Sequence, residues 1–441
     1  TIPFSKKMHP GKLEDFSFDE TLIPRLNDDR INQYHHSAWN HYINLPFPDP
    51  KDEAWRRTDI RNLQTSKFIL SVGSDGYERP PAQLLSPLIS GKKRSGEIVS
   101  GAIETIAIID EDLEEKGVIF KDFHRAELEH PDLLARLLGE IVSPDEDKFT
   151  ALAAALGSDG VFLYVPKDVV IEQPLHSLYW GAGKNKAFIN HLIIWLEEGS
   201  AVTFVHENAS PHNQSDPQLL HNGIVEIHVG KRAKFNFVEL QSWGQNVWSF
   251  TRERAHVMAG GTLEWIFGAM GTHLTKNFSD INLLEGGAKT RVSGFYFTDG
   301  NQHLDLDTQQ NHLAKNTISD LLYKGALVDQ SHTVWQGMVY VAPGAFGTDG
   351  YQANRNLILS KGAHADSIPG LEILADDVQC SHGATVGKID ENELFYLLSR
   401  GIPMKEAKQL IVMGFFTPIL ERIPFEGVRD RFIAAIREKM G

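Results

Sequence analysis

The 441-residue sequence has very little cysteine: Cys380 is the only one. A single cysteine excludes an internal disulfide framework, and it also excludes a metal or cluster cage built from four cysteines of one chain. Any metal or cluster held here would need histidine, carboxylate or a second subunit to complete its ligand set.

Basic residues are fewer than acidic ones. The chain has 43 Lys and Arg against 58 Asp and Glu, which gives a net charge of −15. No stretch forms a basic stripe, so the sequence excludes a nucleic-acid partner of the ordinary electrostatic kind. An acidic balance is typical of soluble proteins and indicates no particular partner.

Long apolar runs are absent. The most apolar windows, residues 192–196 and 410–416, are far shorter than the roughly 20 residues that a membrane-spanning helix needs. Residues 1–12 contain no apolar segment typical of a secretion signal. The sequence therefore predicts a cytoplasmic protein, or a protein of the plastid stroma if a transit peptide has been removed.

A phosphate-binding loop is also absent. The glycine pairs Gly260-Gly261 and Gly286-Gly287 lack the lysine and hydroxyl residues of a Walker motif. Any ATP chemistry connected with this chain would therefore come from another protein.

The central part of the sequence repeats short β-rich runs. Gly199, Gly230, Gly260 and Gly287 lie 31, 30 and 27 residues apart. The third and fifth residues after each glycine form a pair that shares one strand face. These pairs are Val202 and Phe204, Ala233 and Phe235, Leu263 and Trp265, and Thr290 and Val292. The period predicts a stacked solenoid, most simply a parallel β-helix, although it fades after Gly300. A β-sandwich with chance spacing remains the alternative.

The two ends of the chain have helical patterns. Apolar spacing predicts helices at 28–44, 131–141 and 145–156, an early strand at 101–109, and a packing role for Trp55. We therefore divide the chain into a mostly helical region 1–158, a β-helix core 159–387 and a helical region 388–441. In the last region we predict helices at 390–400, from Pro403 until Pro418 breaks the second, and at 425–439.

The stretch 369–400 joins the β-rich core to these last helices. The apolar pattern predicts a buried strand that includes Leu371, Ile373 and Val378. We also predict that Asp390 caps a helix by accepting a hydrogen bond from the Glu393 N–H. Cys380 and His382 would share one strand face. A thiolate and an imidazole both bind iron, so the pair is a candidate metal site. The alternative is a small buried cysteine beside a hydrogen-bonded turn histidine.

Other polar groups are further candidate sites. Asp376-Asp377 is a candidate carboxylate pair for a β-helix lyase or hydrolase, but adjacent strand residues point to opposite faces, so a turn is the better prediction. Histidines among aspartates follow upstream, and they would meet only if neighbouring strands bring them together, so solvated positions are expected. These residues are His303, His312 and His332 among Asp305, Asp307 and Asp320.

Four segments resemble the SufB/SufD family of iron–sulfur cluster assembly proteins. The C-terminal segments are ADDVQCSHGATVGKID (375–390) and LFYLLSRGI (394–402), and the upstream ones are TDGYQANRNLILS (348–360) and EAWRRTDIRNL (53–63). The resemblance implies a mainly β fold, a right-handed parallel β-helix flanked by helical regions. It further implies a non-catalytic scaffold subunit with no tightly bound cofactor in isolation and a transient Fe–S cluster or iron in the complex.

The resemblance also implies partners and site residues. SufB would form a heterodimer through the β-helix, with His382 as ligand or proton acceptor and Cys380 as accessory ligand at the interface. SufB has a cysteine and a glutamate where this chain has Ala363 and Gly383, so the chain resembles the SufD branch. The ATPase SufC would dock on the C-terminal helices at Leu394, Phe395, Leu398, Arg400 and Leu410. An uncapped β-helix edge would also favour a homodimer in isolation.

Two other hypotheses remain open. One is a carbohydrate-active β-helix enzyme, indicated by the solenoid pattern and the Asp376-Asp377 pair. The other is a purely structural interaction scaffold in which the Cys380–His382 pair has no chemical role.

Overall fold

The computed structural model describes residues 13–71, 79–81, 84, 94–101, 105–211, 217–423 and 426–440. Residues 1–12, on which the expectation about a secretion signal rests, lie outside the described residues. The helices are α1 Asp29–Asn44, α2 Glu111–Glu115, α3 Phe123–Glu129, α4 Pro131–Leu137, α5 Lys148–Leu156, α6 Glu391–Ser399, α7 Met404–Leu420 and α8 Glu426–Lys439. Short 3₁₀ turns lie at Glu20–Leu22 and Thr65–Lys67.

The described residues form twenty strands. Those before the solenoid proper are β1 Ile69–Leu70, β2 Gly96–Ser100, β3 Ile106–Ile109 and β4 Ile119–Asp122. They are followed by β5 Asp159–Val165, β6 Leu175–Trp180, β7 Lys186–Leu196, β8 Ala201–Ala209, β9 Leu219–Val229, β10 Lys234–Ser242, β11 Val247–Val257 and β12 Thr262–Ala269. The last eight are β13 Leu274–Leu283, β14 Lys289–Thr298, β15 His303–His312, β16 Ile318–Leu327, β17 His332–Val341, β18 Asp349–Ile358, β19 His364–Ile373 and β20 Gln379–Lys388.

The strands from β5 onward alternate between two sheets, which confirms the predicted β-solenoid. Sheet 1 has the order β19-β17-β15-β13-β11-β9-β7-β5-β4, with β1 on β7, and sheet 2 has the order β20-β18-β16-β14-β12-β10-β8-β6-β2-β3. From β5 onward, strands two apart in sequence pair in parallel, and among the described strands only β2 with β3 and β4 with β5 pair antiparallel. The result is a solenoid of about eight turns between N- and C-terminal helices.

A left-handed residue two positions before each sheet 2 strand from β8 onward sets the repeat. It is Gly199, Arg232, Gly260, Gly287, Asn316, Gly347 and Asp377 in successive turns. The prediction of Gly230 as the repeat position in this turn is therefore wrong by two residues, because the equivalent residue is Arg232. As a result Phe235, and not Ala233, lies opposite Val202. The glycine pattern fades because asparagine and aspartate also adopt this conformation at modest cost.

The N-terminal region is less helical than predicted. The helix α1 matches the prediction to within one residue, α5 begins three residues late, at Lys148, and α4 ends four residues early, at Leu137. β2, β3 and β4 extend the two sheets, and β3 is the predicted early strand, although it covers only Ile106–Ile109, with residues 102–104 outside the description. Short strands with mixed apolar spacing give a weak signal, which explains why sequence reasoning missed β2 and β4.

The N-terminal region packs on the outside of sheet 1 through aromatic contacts. Trp55 is buried, and its ring stacks on Phe149 at 5.6 Å and on Phe250 at 6.2 Å between centroids. These contacts confirm the packing role predicted for Trp55. Each such aromatic pair adds about 0.5–1.5 kcal/mol beyond the area it buries.

The last two helices pack on the outer face of sheet 2, along its length. Phe416 and Phe432 are fully buried in a cluster with Phe295, and the Phe295 and Phe432 ring centroids lie 4.1 Å apart. Pro418 lies inside α7, which ends two residues later, so it does not break the helix where predicted. The third helix begins at Glu426, with Phe425 outside the described residues. No helix in the described residues is both long and apolar enough to cross a membrane.

Candidate functional site

The last turn of the solenoid positions the Cys380–His382 pair. On β20, Cys380 lies opposite Gly350 of β18, and His382 lies opposite Gln352. The two residues are two positions apart on one strand and therefore share a face, as the sequence predicts. In the structure both residues lie on the same face of β20, at the edge of sheet 2.

Cys380 faces the end of the solenoid interior. It packs against the buried cluster of Val339, Val341 and Ala345, on the same side as Leu371. Burial raises the pKa of the Cys380 thiol, and a hydrogen bond from the Gly350 backbone only partly offsets that rise. The thiol is thus protonated at neutral pH, and a bound metal would have to displace its proton.

His382, in contrast, is exposed at the same edge. An imidazole and a thiol from one strand supply two ligands, which is too few for a stable site but suits a site shared with a second chain. The chemistry of this donor pair fits iron and does not fit a hard cation, which prefers oxygen ligands.

The solenoid is open at this end. In the described part of the chain, no strand pairs with the outer edge of β19 or β20. Apolar side chains of the last turn are therefore exposed, including Ile373, Leu374 and Val386, of which Val386 is 48% exposed. The strand predicted at Leu371 and Ile373 is present as the end of β19, but the burial predicted for it is wrong, and Val378 lies outside the strand, in the turn before β20. The strand is not buried because no further turn covers it within the described residues.

The neighbouring carboxylates do not form a catalytic pair. Asp376 and Asp377 lie in the exposed turn between β19 and β20, and Asp377 has a left-handed backbone with φ of 53°. This geometry confirms the predicted turn.

Asp390 caps α6 and thereby directs the chain out of the solenoid. Its carboxylate accepts from the Asn392 N–H at 2.7 Å, one residue before the predicted Glu393 N–H. No residue of α6 is buried, so the helix stands away from the solenoid and contacts α7. The cap explains why a helix begins soon after the last strand.

An apolar groove lies between α6 and α7. Tyr396 and Leu397 of α6 face Leu410 and Ile411 of α7 across a cavity of about 530 Å³, with Asn392 and Glu393 at its rim. Phe395, the residue before Tyr396 on α6, is 72% exposed, and Leu410 is 53% exposed. Large apolar side chains exposed together mark an interaction surface.

Of the five residues predicted for partner docking, Leu410 lines this groove, and the Arg400 guanidinium lies over the ring of the lining residue Tyr396 at 5.0 Å. Leu394 and Leu398 are half-buried and Phe395 is exposed, and none of these three lines the groove. Sequence reasoning missed Tyr396 and Ile411. Helical spacing indicates which residues of α7 lie on the same face as Leu410, but it does not indicate that α6 lies opposite that face.

The upstream histidines are not uniformly solvated, which corrects the prediction for two of them. His312 is buried and hydrogen-bonds to Thr317 at 2.8 Å and to Ser319 at 2.9 Å. His303 is mostly covered, and burial together with the charges of nearby groups lowers its pKa to about 3.

Sequence reasoning missed a convergence of His332 with His364 and Asp366. His303, His332 and His364 lie 29 and 32 residues apart, the solenoid period, and this spacing was the available signal. The register between these strands could not be predicted, because the regular glycines that mark the repeat do not continue into this part of the sequence.

Comparison with known proteins agrees with this architecture. Residues 179–415 match the family model described as "SUF system FeS cluster assembly, SufBD core domain". Residues 13–176 match the model described as "SufBD protein N-terminal region".

Curated relatives include proteins named "Iron-sulfur cluster assembly SufBD family protein" from Staphylococcus epidermidis, Staphylococcus saprophyticus and Staphylococcus aureus. Each is 33% identical to this chain over 318 residues, which is 72% of this chain and 68% of the relative. The alignments and the solenoid agree, and the chain belongs to the SufB/SufD family of iron–sulfur cluster assembly proteins.

Proposed function

We propose that this chain is a SufD-type scaffold subunit for iron–sulfur cluster assembly, without catalytic activity of its own. One observation carries the proposal: the last turn of the solenoid presents the Cys380–His382 pair at a strand edge with which no other described strand pairs. An edge strand that is neither blocked nor covered is a template for pairing with another chain.

The proposed occupant of this edge is a SufB-type subunit. The half-exposed Leu374 and Val386 provide apolar area, and the backbone of β19 and β20 provides hydrogen-bonding groups. Solenoids need their terminal turns covered for solubility, so the edge favours a partner of the same cross-section. A second copy of this chain has that cross-section too and would occupy the edge in isolation.

The chemistry of the interface is shared between the two subunits in this proposal. His382 would serve as a ligand or proton acceptor for iron, and Cys380 would become an accessory ligand after losing its proton. Gly383 and Ala363 offer no ligand, so the partner would supply a carboxylate and a thiolate near them. The iron and the cluster are substrate and product, and no tightly bound cofactor is expected.

The groove between α6 and α7 is the proposed docking surface for a SufC-type ATPase. Leu410 and Tyr396 provide an apolar floor, and Glu393 a polar rim. Nucleotide-driven movement of the ATPase would then be transmitted through α6 and the capping residue Asp390 to β20, which directly precedes that helix. The proposal places this complex in the cytoplasm, where an unpaired cysteine stays reduced.

The interface is tested by co-expressing tagged SufB-type and SufC-type subunits with this chain and measuring its co-purification. Val386→Asp introduces a charge at the open edge and is expected to abolish association with the SufB-type subunit. Val170→Asp, at a 58% exposed position far along the chain, is the matched control and should leave it intact.

Circular dichroism and size-exclusion chromatography check that both variants are folded. Undiminished association of a folded Val386→Asp chain would contradict an interface at the last turn. Failure of the wild-type chain to associate at all would contradict the scaffold function itself and return attention to a carbohydrate-active solenoid enzyme.

A further inference from the structure

Three histidines form a ladder on the outer face of sheet 1. His303, His332 and His364 are the first residues of β15, β17 and β19, and they lie directly opposite one another in the strand register. The ring centroids are 4.8 Å apart between His303 and His332 and 5.2 Å apart between His332 and His364. The side chain of Ala365, next to His364, points into the solenoid core, which places the ladder on the outside.

Asp366 joins the two outer histidines of this ladder. One carboxylate oxygen lies 3.0 Å from the His332 Nε2, and the other lies 3.1 Å from the His364 Nε2. The ligand atoms of His332, His364 and Asp366 all lie within 4.8 Å of one another. His364 and Asp366 are two positions apart on one strand, and His332 is the direct neighbour of His364, so backbone geometry alone brings the three together.

These distances suit a bound metal ion. Metal bonds to histidine nitrogen and carboxylate oxygen are about 2.0–2.2 Å, so ligands on neighbouring coordination positions lie roughly 3.0–3.4 Å apart. The two nitrogen–oxygen distances fall within that range. An ion would take the place of the imidazole protons that now face the carboxylate.

The donor set selects the class of metal. Two imidazoles and one carboxylate with the remaining positions open are the ligands of mononuclear Fe(II) sites, and they also suit Zn(II). Ca²⁺ and Mg²⁺ prefer a shell of oxygen ligands, which this cluster does not offer.

Neighbouring residues hold the inner end of the ladder in place. His303 is not part of the ligand set, because its Nε2 lies 3.2 Å from the Thr58 hydroxyl. That hydroxyl also donates to Asp305, which is paired with the buried Lys276 at 2.9 Å. The His303 ring is therefore held in place and lies edge-on against the His332 ring, which limits how the His332 ring can turn.

The outer end of the ladder is open to solution. The side chain of His364 is 68% exposed, and those of His332 and Asp366 are 31% and 35% exposed. An ion could therefore enter and leave, and water or a second molecule could take the free coordination positions.

We infer that His332, His364 and Asp366 form an exchangeable site for a divalent first-row transition metal, Fe²⁺ or Zn²⁺. The site is separate from the Cys380–His382 pair. Cys380 packs against Val339, which lies seven positions along β17 from His332, a distance of about 23 Å at a rise of about 3.3 Å per residue. All three ligands belong to this chain, so binding can be measured in the absence of the partner that the proposed function requires.

The test is equilibrium dialysis of the full chain, purified without a histidine tag and stripped with chelator, against Fe²⁺ under anaerobic conditions or against Zn²⁺. Co²⁺ serves as a spectroscopic probe, because its visible absorption reports ligand type and geometry. The expected result is one ion per chain, undiminished by excess Mg²⁺.

Variants assign the bound ion to residues. His364→Ala and Asp366→Asn should each weaken binding by about tenfold or more, since even the outer partners of metal ligands have effects of that size. His36→Ala, at an exposed histidine of α1, is the matched control and should bind as wild type. Circular dichroism confirms that each variant is folded, and Asp366→Asn keeps the shape of the side chain.

Three results would overturn the inference. One is no stoichiometric binding of any transition metal, and another is full competition by Mg²⁺. The third is binding that survives His364→Ala but disappears in the double variant Cys380→Ser, His382→Ala, because the ion would then lie at the last turn. The site assignment can thus fail while the proposed function stands, and the reverse is equally possible.

Discussion

Gly350 and Cys380 face each other across β18 and β20, and the thiol occupies the space that a side chain at Gly350 would need. A Cβ at Gly350 would lie 3.2 Å from the Cys380 Sγ, 3.1 Å from the Val339 Cγ1 and 3.3 Å from the His312 Nε2. The absence of a side chain at Gly350 therefore allows Cys380 to lie against the solenoid interior.

Gly350→Ala is expected to displace Cys380 and to destabilise the chain by about 1–3 kcal/mol, the usual cost of overpacking a tight site. Chemical denaturation measures the loss, and the rate of thiol alkylation should rise as Cys380 becomes more exposed. Gly387→Ala, on the same strand as Cys380, is the control, because no atom lies within 4 Å of a Cβ added at Gly387. Equal stability of the two variants would show that Cys380 is not held by this contact.

The interior of the solenoid holds two carboxyl groups that should make stability depend on pH. Glu239 and Glu253 are buried, and Glu253 accepts a hydrogen bond from Asn277 at 2.6 Å. Burial raises the pKa of both carboxyls, and the charge of Glu239 raises that of Glu253 further. The folded chain therefore retains protons that the unfolded chain releases.

These two carboxyls should consequently lower the free energy of unfolding as pH rises above the ordinary carboxyl pKa range and through the raised values. Buried histidines with a lowered pKa, such as His303, act in the opposite direction, so the carboxyl contribution is measured as a difference between variants. In unfolding by denaturant at several values between about pH 5 and 8, Glu253→Gln, which cannot ionise, should gain stability relative to the wild type as pH rises. Glu115→Gln, at an exposed position of α2, should keep a constant difference from the wild type. A difference between Glu253→Gln and the wild type that does not change with pH would contradict the assignment.

Trp55 should contribute strongly to the docking of the N-terminal region. Trp55→Ala removes a buried ring stacked on Phe149 and should cost about 3–5 kcal/mol of unfolding free energy. Arg56→Ala, whose side chain is 67% exposed, should change stability by less than about 0.5 kcal/mol. Similar, small effects of both would mean that the aromatic cluster does not anchor this region.

The groove between α6 and α7 gives a prediction about the ATPase. Leu410→Asp should abolish retention of a SufC-type subunit on the immobilised chain, because a charge would be buried in an apolar contact. Leu128→Asp on α3 is matched, since both leucines are 53% exposed. Retention by the Leu410→Asp chain as strong as that of wild type would place the ATPase elsewhere.

Much of this architecture can be predicted from the sequence because local signals and the global fold agree. Glycines at left-handed turns indicated the solenoid, and apolar spacing located α1, α5 and α8. The register after Gly287 could not be read, because Asn316 and Asp377 replace glycine at the equivalent turns. Arg232 takes the same conformation without any local signal.

The sites show the same division between local and non-local information. The shared face of Cys380 and His382 follows from their spacing on one strand. The meeting of His332 with Asp366 needs the register between strands 32 residues apart, and the α6–α7 groove needs the packing angle of two helices. Neither quantity is encoded in a short window of sequence.

The central claim is that the last turn of the solenoid takes part in cluster assembly. Its most direct test is to co-express this chain with SufB-type and SufC-type subunits, purify the complex anaerobically, and measure iron, sulfide and visible absorbance. We predict that His382→Ala leaves the complex intact but removes the cluster, whereas Ser381→Ala, on the opposite face of β20, leaves both unchanged. An intact complex with undiminished cluster in His382→Ala would contradict the claim and leave the chain a purely structural scaffold.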